Sequence, residues 1–462
     1  MIPLSKIARC FGGIVPGAIA TCSADGTPNV SYLSHVQPVD DRHLAVSCQF
    51  FNKTRRNLDE SPLASLLLHD PVTFQAYRIG VRFLRAETAG PLFDSMSARI
   101  EVIASHIGMK GIFRLLSADV FEVLTVEEVP GFLEPLADEP LVFDAAGHGG
   151  PMLELHRLQM VSDRINRAGD LETLLSSTLS ALDELFGFTH AMVLLPDETS
   201  GKLVAIASRG YGDGCIGAEL AVGDGLFGTA ASERRVLAAA SIDADLRYGR
   251  AVRDRARQVA PGARVTPEIP LPGLPDARSQ LGIPLLVEDR LLGVLAIESR
   301  DPSAYEQWHE CFLQVIGNQI ASRIDHLTEH EDDDAELERA GDHLRISMPV
   351  GATRTRTLCF YKNDDCVFVD GEYLIRNVPG KILWKLLTVH ARERRMEYTN
   401  RELRLDPWLG LPAVKDNLES RLILLRKRLE QKCPDIRLVP TRRGRFALEL
   451  DCAVELIERE SA

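Results

Sequence analysis

Two polar or glycine-rich stretches divide this chain of 462 residues and limit the size of any single hydrophobic core. The first, DEPLVFDAAGHGGP (138–151), is rich in Gly and turn-forming residues. The second, EHEDDDAELERAGDH (329–343), is polar and mostly acidic, as solvated connectors and helix ends often are. A chain of this length usually folds as two to four domains. We therefore expect three domains, at residues 1–137, 150–328 and 344–456.

The bulk properties predict a cytoplasmic protein without a membrane span. No run of about 18 apolar residues occurs, and the start, MIPLSKIARCFGG, lacks the apolar segment of a secretory signal. The nine Cys occur singly, without a CxxC pair, which argues against a disulfide framework or a zinc cage. His309 and Cys311 would lie on different faces of a helix, so we expect no metal site there.

The charge distribution is strongly asymmetric. Residues 345–448 contain 22 Lys and Arg against 12 Asp and Glu, whereas the whole chain has a net charge of −13. A basic quarter in an acidic protein predicts contact with a polyanion. The alternative is that this basic domain docks on its acidic neighbours.

The first segment is predicted to be a small barrel of antiparallel strands with two helices. AIATCSADGTPNVSYLSHV contains two strand-like runs joined by Ala24 to Thr27, and Asp-Gly in such a joint favours a hairpin. HLAVSCQF, LASLLLHD and FQAYRIGVRFLRAETAG add strands, and LFDSMSARIEVIASHIG has helical spacing.

The second segment alternates helices and strands. A helical opening, LELHRLQMVSDRINRAGDLETLLSSTLSALDELF, is followed by strands, a Gly-rich stretch and a hairpin around Glu288-Asp289. YEQWHECFLQVIGNQIASRIDHL then closes the segment as a long amphipathic helix. Long helices at both ends favour a homodimer through a coiled coil, or they simply cap the sheet.

The third segment is predicted to begin with strands, continue through three helices and end in a hairpin. In its last helix Leu418, Leu422, Leu425 and Leu429 form a buried stripe. Polar groups off this stripe and at the basic hairpin tip suit the phosphates and base edges of double-stranded DNA. The candidate DNA-binding residues are Asn417, Ser420, Arg421, Lys427, Arg428, Arg442, Arg443 and Arg445.

Three motifs of this last segment resemble the winged helix-turn-helix effector domain of response regulators. They are the strand-then-helix opening VFVDGEYLIRNVPGKILWKLL, the recognition-helix signature LILLRKRLE and the wing IRLVPTRRGRFALEL. The resemblance implies transcriptional control and DNA binding as a dimer. Leu424 departs from the pattern, since the family usually has Arg there. The alternative is a basic protein-interaction module.

The middle segment resembles a GAF sensor domain. GYGDGCIGAELAVGDGLFGTAASERRVLAAASIDADLRYG has the family's loop-helix-loop pattern, and GIPLLVEDRLLGVLAIES has its strand pair. The resemblance implies a small-molecule effector; members bind cyclic nucleotides, tetrapyrroles, haem or amino acids, or nothing. Cys215 is a candidate sensor thiol in the cavity-forming loop, or else an inert packing residue.

A cationic cluster, NKTRRN, follows the apolar run LAVSCQF in the first segment. Free backbone N–H groups and the positive dipole end at a helix start favour an anion. Lys53 adds a charge and Thr54 a hydroxyl, which suits a phosphate monoester. The alternative is a salt-bridge cluster that opens a helix.

This run, in FNKTRRNLDESPLASLLLHDP, resembles the pyridoxamine 5'-phosphate oxidase-like split barrel that binds FMN. The resemblance implies a dimer with the flavin at the interface, although relatives bind deazaflavin or haem or have lost the cofactor. It assigns the flavin phosphate and ribityl chain to Lys53, Thr54 and Asn57, with a further phosphate contact from Arg82. It places near the ring Ser47, Cys48 and Gln49.

The fold class expected is therefore a multidomain α+β protein with a split β-barrel, a GAF α/β sandwich and a winged helix. We find no catalytic nucleophile-base pair, P-loop or substrate-phosphate motif in the sequence. The function expected is a ligand- or redox-responsive transcription regulator and not an enzyme. The alternative is a flavin-dependent oxidoreductase with regulatory GAF and accessory domains.

Overall fold

A computed structural model of the chain shows its secondary structure and packing. It describes residues 2–460 apart from 13–14, 50–51, 72, 113, 131–149, 199, 213–214, 241, 243–249, 251–272, 303, 306, 338–353, 364, 412–417 and 443. The chain divides into two compact units. The first comprises 1–158, 220–284 and 294–315, and the second comprises 159–219, 285–293 and 316–462.

A seven-stranded antiparallel sheet forms the N-terminal part, in the order β2-β1-β5-β6-β7-β4-β3. Its strands are β1 (Gly17–Cys22), β2 (Pro28–Leu33), β3 (Val36–Pro38), β4 (His43–Cys48), β5 (Leu63–His69), β6 (Ala76–Glu87) and β7 (Ser117–Val129). A 3₁₀ helix (Leu4–Gly12), α1 (Asn52–Glu60) and α2 (Pro91–His106) accompany the sheet. The β1–β2 pairing confirms the predicted hairpin, and Gly26 takes a φ of 86° in its turn.

A six-stranded sheet follows, in the order β10-β9-β8-β13-β12-β11. Its strands are β8 (His190–Asp197), β9 (Lys202–Arg209), β10 (Glu219–Ala221), β11 (Leu237–Ala239), β12 (Ser279–Val287) and β13 (Arg290–Ser299). Its helices are α3 (Gly150–Arg167), α4 (Leu171–Phe186), α5 (Gly225–Glu233) and α6 (Gln307–Leu337). The predicted hairpin at Glu288-Asp289 is present as β12 and β13. The acidic run predicted as a linker from residue 329 instead continues α6 to Leu337.

The described residues of the C-terminal part form two smaller sheets and three helices. The order is β16-β15-β14-β20 in one sheet and β17-β19-β18 in the other. The strands are β14 (Thr355–Tyr361), β15 (Cys366–Val369), β16 (Glu372–Ile375), β17 (Glu397–Thr399), β18 (Ile436–Arg442), β19 (Arg445–Leu450) and β20 (Ala453–Arg459). The helices are α7 (Asn377–Glu393), α8 (Asn400–Arg404) and α9 (Leu418–Lys432). The leucine stripe of α9 lies in the core between them, as predicted from its spacing.

Local sequence explains several helix ends. The Asp170 carboxylate accepts a hydrogen bond from the Thr173 backbone N–H and caps α4, and Gly187 ends that helix in the left-handed conformation. Thr399 and Glu402 form a capping box at α8. No helix in the described part of the chain is long and apolar enough to cross a membrane.

Substituting Gly210 with Ala is expected to lower the stability of the protein by about 2–4 kcal/mol. Gly210 has a φ of 81°, and a Cβ atom there would lie 1.9 Å from the backbone oxygen of Thr189. Gly212→Ala is the matched control, because no atom of the described residues lies within 4 Å of its Cβ position. Thermal unfolding monitored by circular dichroism measures both variants. Equal transition temperatures would contradict the close approach at Gly210.

Candidate functional site

Helix α1 is attached to strands β1 and β2 by a buried polar network. The Thr54 hydroxyl accepts a hydrogen bond from Asn29 Nδ2 at 3.0 Å and lies 2.9 Å from Ser31 Oγ. Asn57 Nδ2 donates to Thr21 Oγ1 at 3.1 Å. Thr54 and Asn57 are almost completely buried. The structure therefore uses two of the predicted flavin-phosphate ligands to hold α1 against the sheet.

The other two predicted phosphate ligands are exposed. Lys53 lies in the first turn of α1, and its ammonium group forms no ion pair with any described residue. Arg82 lies on β6, and its Nη1 is 3.5 Å from a carboxylate oxygen of Glu122 on the neighbouring strand. Of these two predicted ligands, Lys53 is thus the one whose charge is not paired with a carboxylate among the described residues.

The three residues predicted to lie near a flavin ring are all buried at the end of β4. The Ser47 hydroxyl is 3.0 Å from Ser34 Oγ and 3.3 Å from the backbone oxygen of His35. Cys48 is buried beside it. The side chain of Gln49 is 5% exposed, and neither its amide nitrogen nor its amide oxygen has a hydrogen-bond partner in the described part of the chain.

Unpaired buried amide atoms are costly, by about 1–3 kcal/mol for each group. A planar heterocycle that carries neighbouring donors and acceptors, as the flavin ring does, would restore both hydrogen bonds of Gln49. Together with the exposed Lys53, Gln49 therefore fits a flavin phosphate ester. Nearby His35 is also buried, and burial and the charge of Arg99 hold its pKa well below the ordinary value, so its ring is neutral.

Sequence analysis missed an ion pair at the same corner. Arg55 Nη1 donates to Asp119 Oδ1 at 2.8 Å, and the guanidinium lies 4.8 Å from the centre of the Phe83 ring. Burial raises the pKa of Asp119, although Ser117 and Arg55 donate hydrogen bonds to its carboxylate. The carboxylate of Asp119, within the strand segment SADVF, was the feature of the sequence that could have indicated this pair. The pair joins α1 to β7.

The predicted DNA-binding residues of α9 that the structure describes are buried or half-buried. Ser420 and Arg421 are buried, and Arg421 Nη2 is 3.1 Å from Asp197 Oδ1 at the end of β8. Lys427 Nζ donates to the backbone oxygen of Ile206 in β9 at 3.4 Å. The charged ends of Arg421 and Lys427 thus meet acceptors on this sheet instead of solvent.

Two further arginines form ion pairs across this contact. Arg426, which sequence analysis did not single out, is buried between Glu172 of α4 and Glu419 of its own helix. Arg376 Nη2 lies 2.8 Å from Glu219 Oε1 in β10. The basic C-terminal part thus packs on acidic groups of α4, β8 and β10, as the alternative interpretation of the charge asymmetry predicted.

Two carboxylates of this interface, Asp197 and Glu219, have a pKa below the usual value. Burial raises the pKa of Asp197, but hydrogen bonds from Ser200 and Arg421 outweigh burial and leave the pKa below its usual value. Burial also raises the pKa of Glu219, but hydrogen bonds from Lys202 and Arg376 outweigh burial and leave this pKa below its usual value. Arg421 and Arg376 therefore each face a charged partner.

The basic hairpin tip remains accessible. Arg442 is exposed at the end of β18, and Arg445 is half-buried at the start of β19. Gly444 between them takes a φ of 67°. Asn417 and Arg443, also predicted to contact DNA, lie outside the described residues.

Cys215, the predicted sensor thiol, is buried, with its sulfur 3.8 Å from the sulfur of Met192. Access to an oxidant therefore requires a local opening of the loop that carries it. Among the described residues, no group of three or more His, Cys, Asp and Glu side chains is placed to hold a metal ion.

Comparison with known families identifies two regions. Residues 170–324 match the GAF domain, and residues 5–129 match the pyridoxamine 5'-phosphate oxidase family. The N-terminal and middle resemblances are thus supported, and both ranges fall within the first two predicted domains. No curated protein sequence matches the chain.

Solved structures with similar parts were also found. The GAF domain of a phosphoenolpyruvate-protein phosphotransferase from Coxiella burnetii is 22% identical, with a TM-score of 0.31, and the match covers 40% of this chain and 98% of that one. HupZ of Group A Streptococcus is 16% identical, with a TM-score of 0.23, over 28% of this chain and 94% of that one. An FMN-binding protein from Syntrophomonas wolfei is 19% identical, with a TM-score of 0.23, over 28% of this chain and 90% of that one.

Proposed function

We propose that this protein is a ligand-responsive regulator that binds DNA through its C-terminal part. The GAF domain and the pyridoxamine 5'-phosphate oxidase-like region would supply sensory input. The C-terminal order of strands, three helices and a basic hairpin supports a winged helix, because that family has the same order. The excess of Lys and Arg over residues 345–448 supports contact with phosphates.

The observation that carries the proposal is the burial of α9 on both sides. Its leucine stripe faces the C-terminal core, and its cationic side faces the GAF region through Arg421, Arg426 and Lys427. Groups suited to phosphates are thus paired with carboxylates in this conformation. Release of α9 would exchange these carboxylates for DNA phosphates, so that any ligand favouring one arrangement changes DNA binding.

The N-terminal region would bind FMN, which supplies reversible electron transfer when bound. Lys53 would pair with the phosphate, and the buried amide of Gln49 would hydrogen-bond the polar edge of the ring. Ser47 and Cys48 would line the same end of β4. Thr54 and Asn57 would position α1, and with it Lys53, through their hydrogen bonds to β1 and β2.

The same region presents an apolar face that would suit pairing of two copies. Val30, Tyr32 and Leu67 are exposed, and the strand register places them on one face of β2, β1 and β5. A homodimer, which the split-barrel resemblance implies, would cover this face. Light scattering of the full chain measures whether it forms a homodimer.

DNA binding by the full chain should weaken steeply as salt increases, because phosphate contacts release counterions. Arg442→Ala should reduce the slope of log affinity against log salt by about 1, the contribution of one phosphate contact. The control, Arg9→Ala, removes an equal charge from the exposed surface of the N-terminal 3₁₀ helix. Fluorescence anisotropy with duplex DNA measures both slopes.

Equal slopes for the two variants would contradict a role for the hairpin tip. Absence of salt-sensitive binding by the wild type, combined with turnover of NAD(P)H in the presence of FMN, would favour the alternative of a flavin-dependent oxidoreductase. Salt-sensitive binding without turnover supports the regulator.

A further inference from the structure

A cavity of about 450 Å³ lies where α9 and β16 meet β8, β9 and β10. Its volume is in the range of sites that take small organic molecules, about 300–1,000 Å³. Both sides contribute apolar side chains to its walls: Leu195, Val204, Ile206, Ile375, Val378 and Leu424. The cavity is therefore suited to the apolar body of a ligand.

Three guanidinium groups and two carboxylates also line this cavity. Arg421 is paired with Asp197, and Arg376 is paired with Glu219. Arg428 forms no ion pair with any residue in the described part of the chain, and its charge acts on the nearby Tyr373. Among the lining residues that the structure describes, the guanidinium groups thus outnumber the carboxylates by one.

The position of Arg428 depends on Gly217. A Cβ atom on Gly217 would lie 3.2 Å from Arg428 Nη2 and 3.0 Å from Leu424 Cδ1. The backbone of the β9–β10 connection can approach α9 this closely because Gly217, with a φ of 78°, has no side chain. Arg428 thus lies at the cavity wall, close to the backbone of the β9–β10 connection.

Tyr373 adds a polar group to the same wall. Burial raises its pKa, so its hydroxyl remains protonated and can donate a hydrogen bond at neutral pH. A guanidinium fork and a phenol are the donors that a carboxylate accepts from most readily.

We propose that this cavity binds a small monocarboxylate with an apolar body, whose carboxylate pairs with Arg428. The apolar body lies against the aliphatic walls, and the single negative charge balances the excess positive charge. Because the ligand contacts both β8–β9 and α9, its binding stabilises the packing of α9 on the sheet.

This inference does not depend on DNA binding, and its test requires no DNA. Octanoate and 4-phenylbutyrate, each compared with its primary amide, are titrated into the full chain by calorimetry. The amides keep the apolar body and lose the charge. We expect each carboxylate to bind at least about tenfold more tightly than its amide, as for loss of a charge-assisted hydrogen bond.

Arg428→Gln should remove this preference for carboxylate, and Arg428→Lys should restore part of it by keeping the charge without the fork. Arg392→Gln is the matched control, since Arg392 is exposed in the last turn of α7 and does not line the cavity. Circular dichroism verifies that the variants fold. In hydrogen exchange of the wild type, the bound carboxylate should slow exchange of the α9 amides.

Three results would overturn the proposal. They are equal affinities for carboxylates and amides, an equal loss of affinity in the variants at Arg428 and Arg392, and no binding of either carboxylate. The first would leave only an apolar cavity. The DNA proposal would be unaffected by any of them, because its test measures salt-dependent affinity for duplex DNA.

Discussion

Replacing Asp197 with Asn is expected to raise the affinity of the full chain for duplex DNA by about ten- to a hundredfold. Asp197 forms an ion pair with Arg421, whose side chain is only 6% exposed. Breaking a buried pair by removing one partner costs about 3–5 kcal/mol. Because Asp197 itself is 20% exposed, we expect the substitution to destabilise the packed arrangement of α9 by about 1.5–3 kcal/mol. This free energy corresponds to a change of about ten- to a hundredfold in the equilibrium constant.

The direction of the effect follows from the two states of α9. The Asp197→Asn substitution would remove the charge that Asp197 places beside the buried Arg421 guanidinium, which destabilises the packed arrangement but leaves the released one unchanged. The released population, and with it the DNA affinity, therefore increases. Fluorescence anisotropy with the same duplex at one salt concentration measures the change.

The matched control is Asp289→Asn, which removes one negative charge at the exposed turn between β12 and β13. It separates release of α9 from the general effect of a less acidic protein on DNA affinity. Equal gains in the two variants would show that release of α9 does not govern binding. Binding by neither variant nor wild type would count against the DNA proposal itself.

Replacing Lys53 with Ala is expected to weaken FMN binding by about ten- to a hundredfold. The loss corresponds to about 1.5–3 kcal/mol, the contribution of a hydrogen bond to a charged group. Riboflavin lacks the phosphate, so its affinity should change little. Because the Lys53 side chain is exposed at a helix start, the fold should remain intact.

Fluorescence titration of both ligands into wild type and variant measures this difference. Lys6→Ala, at another exposed lysine of the N-terminal part, controls for the loss of positive charge. Equal losses for FMN and riboflavin would mean that Lys53 does not contact the phosphate. If neither ligand bound the wild type, the NKTRRN run would be a charged helix start in a barrel without a flavin.

Much of the local structure could be predicted because it depends on neighbouring residues. The Asp25-Gly26 turn, the leucine spacing of α9 and the hairpin at Glu288-Asp289 each fix geometry over a few positions, and all three are present. The interior position of Ser47 on β4 does not follow from strand alternation, because all of Leu44 to Cys48 is buried. Alternation cannot indicate a strand covered on both faces.

The candidate sites depended on contacts between distant parts of the chain. Periodicity placed Arg421 and Lys427 off the leucine stripe of α9, but it carried no information about what lies opposite them. Asp197 ends a strand more than two hundred residues earlier in the chain, and no sequence motif linked it to α9. Whether a charged side chain meets solvent, DNA or a carboxylate is decided by packing.

The sequence by itself therefore determined the elements, the family resemblances of the first two segments and the excess of positive charge near the C-terminus. Only the tertiary structure decided that Thr54 and Asn57 hold α1, that Gln49 is buried without a partner, and that α9 is covered. The physical reason is the distance along the chain over which each interaction acts. Backbone and periodicity preferences act over a few residues, whereas burial and ion pairing depend on which distant surfaces meet.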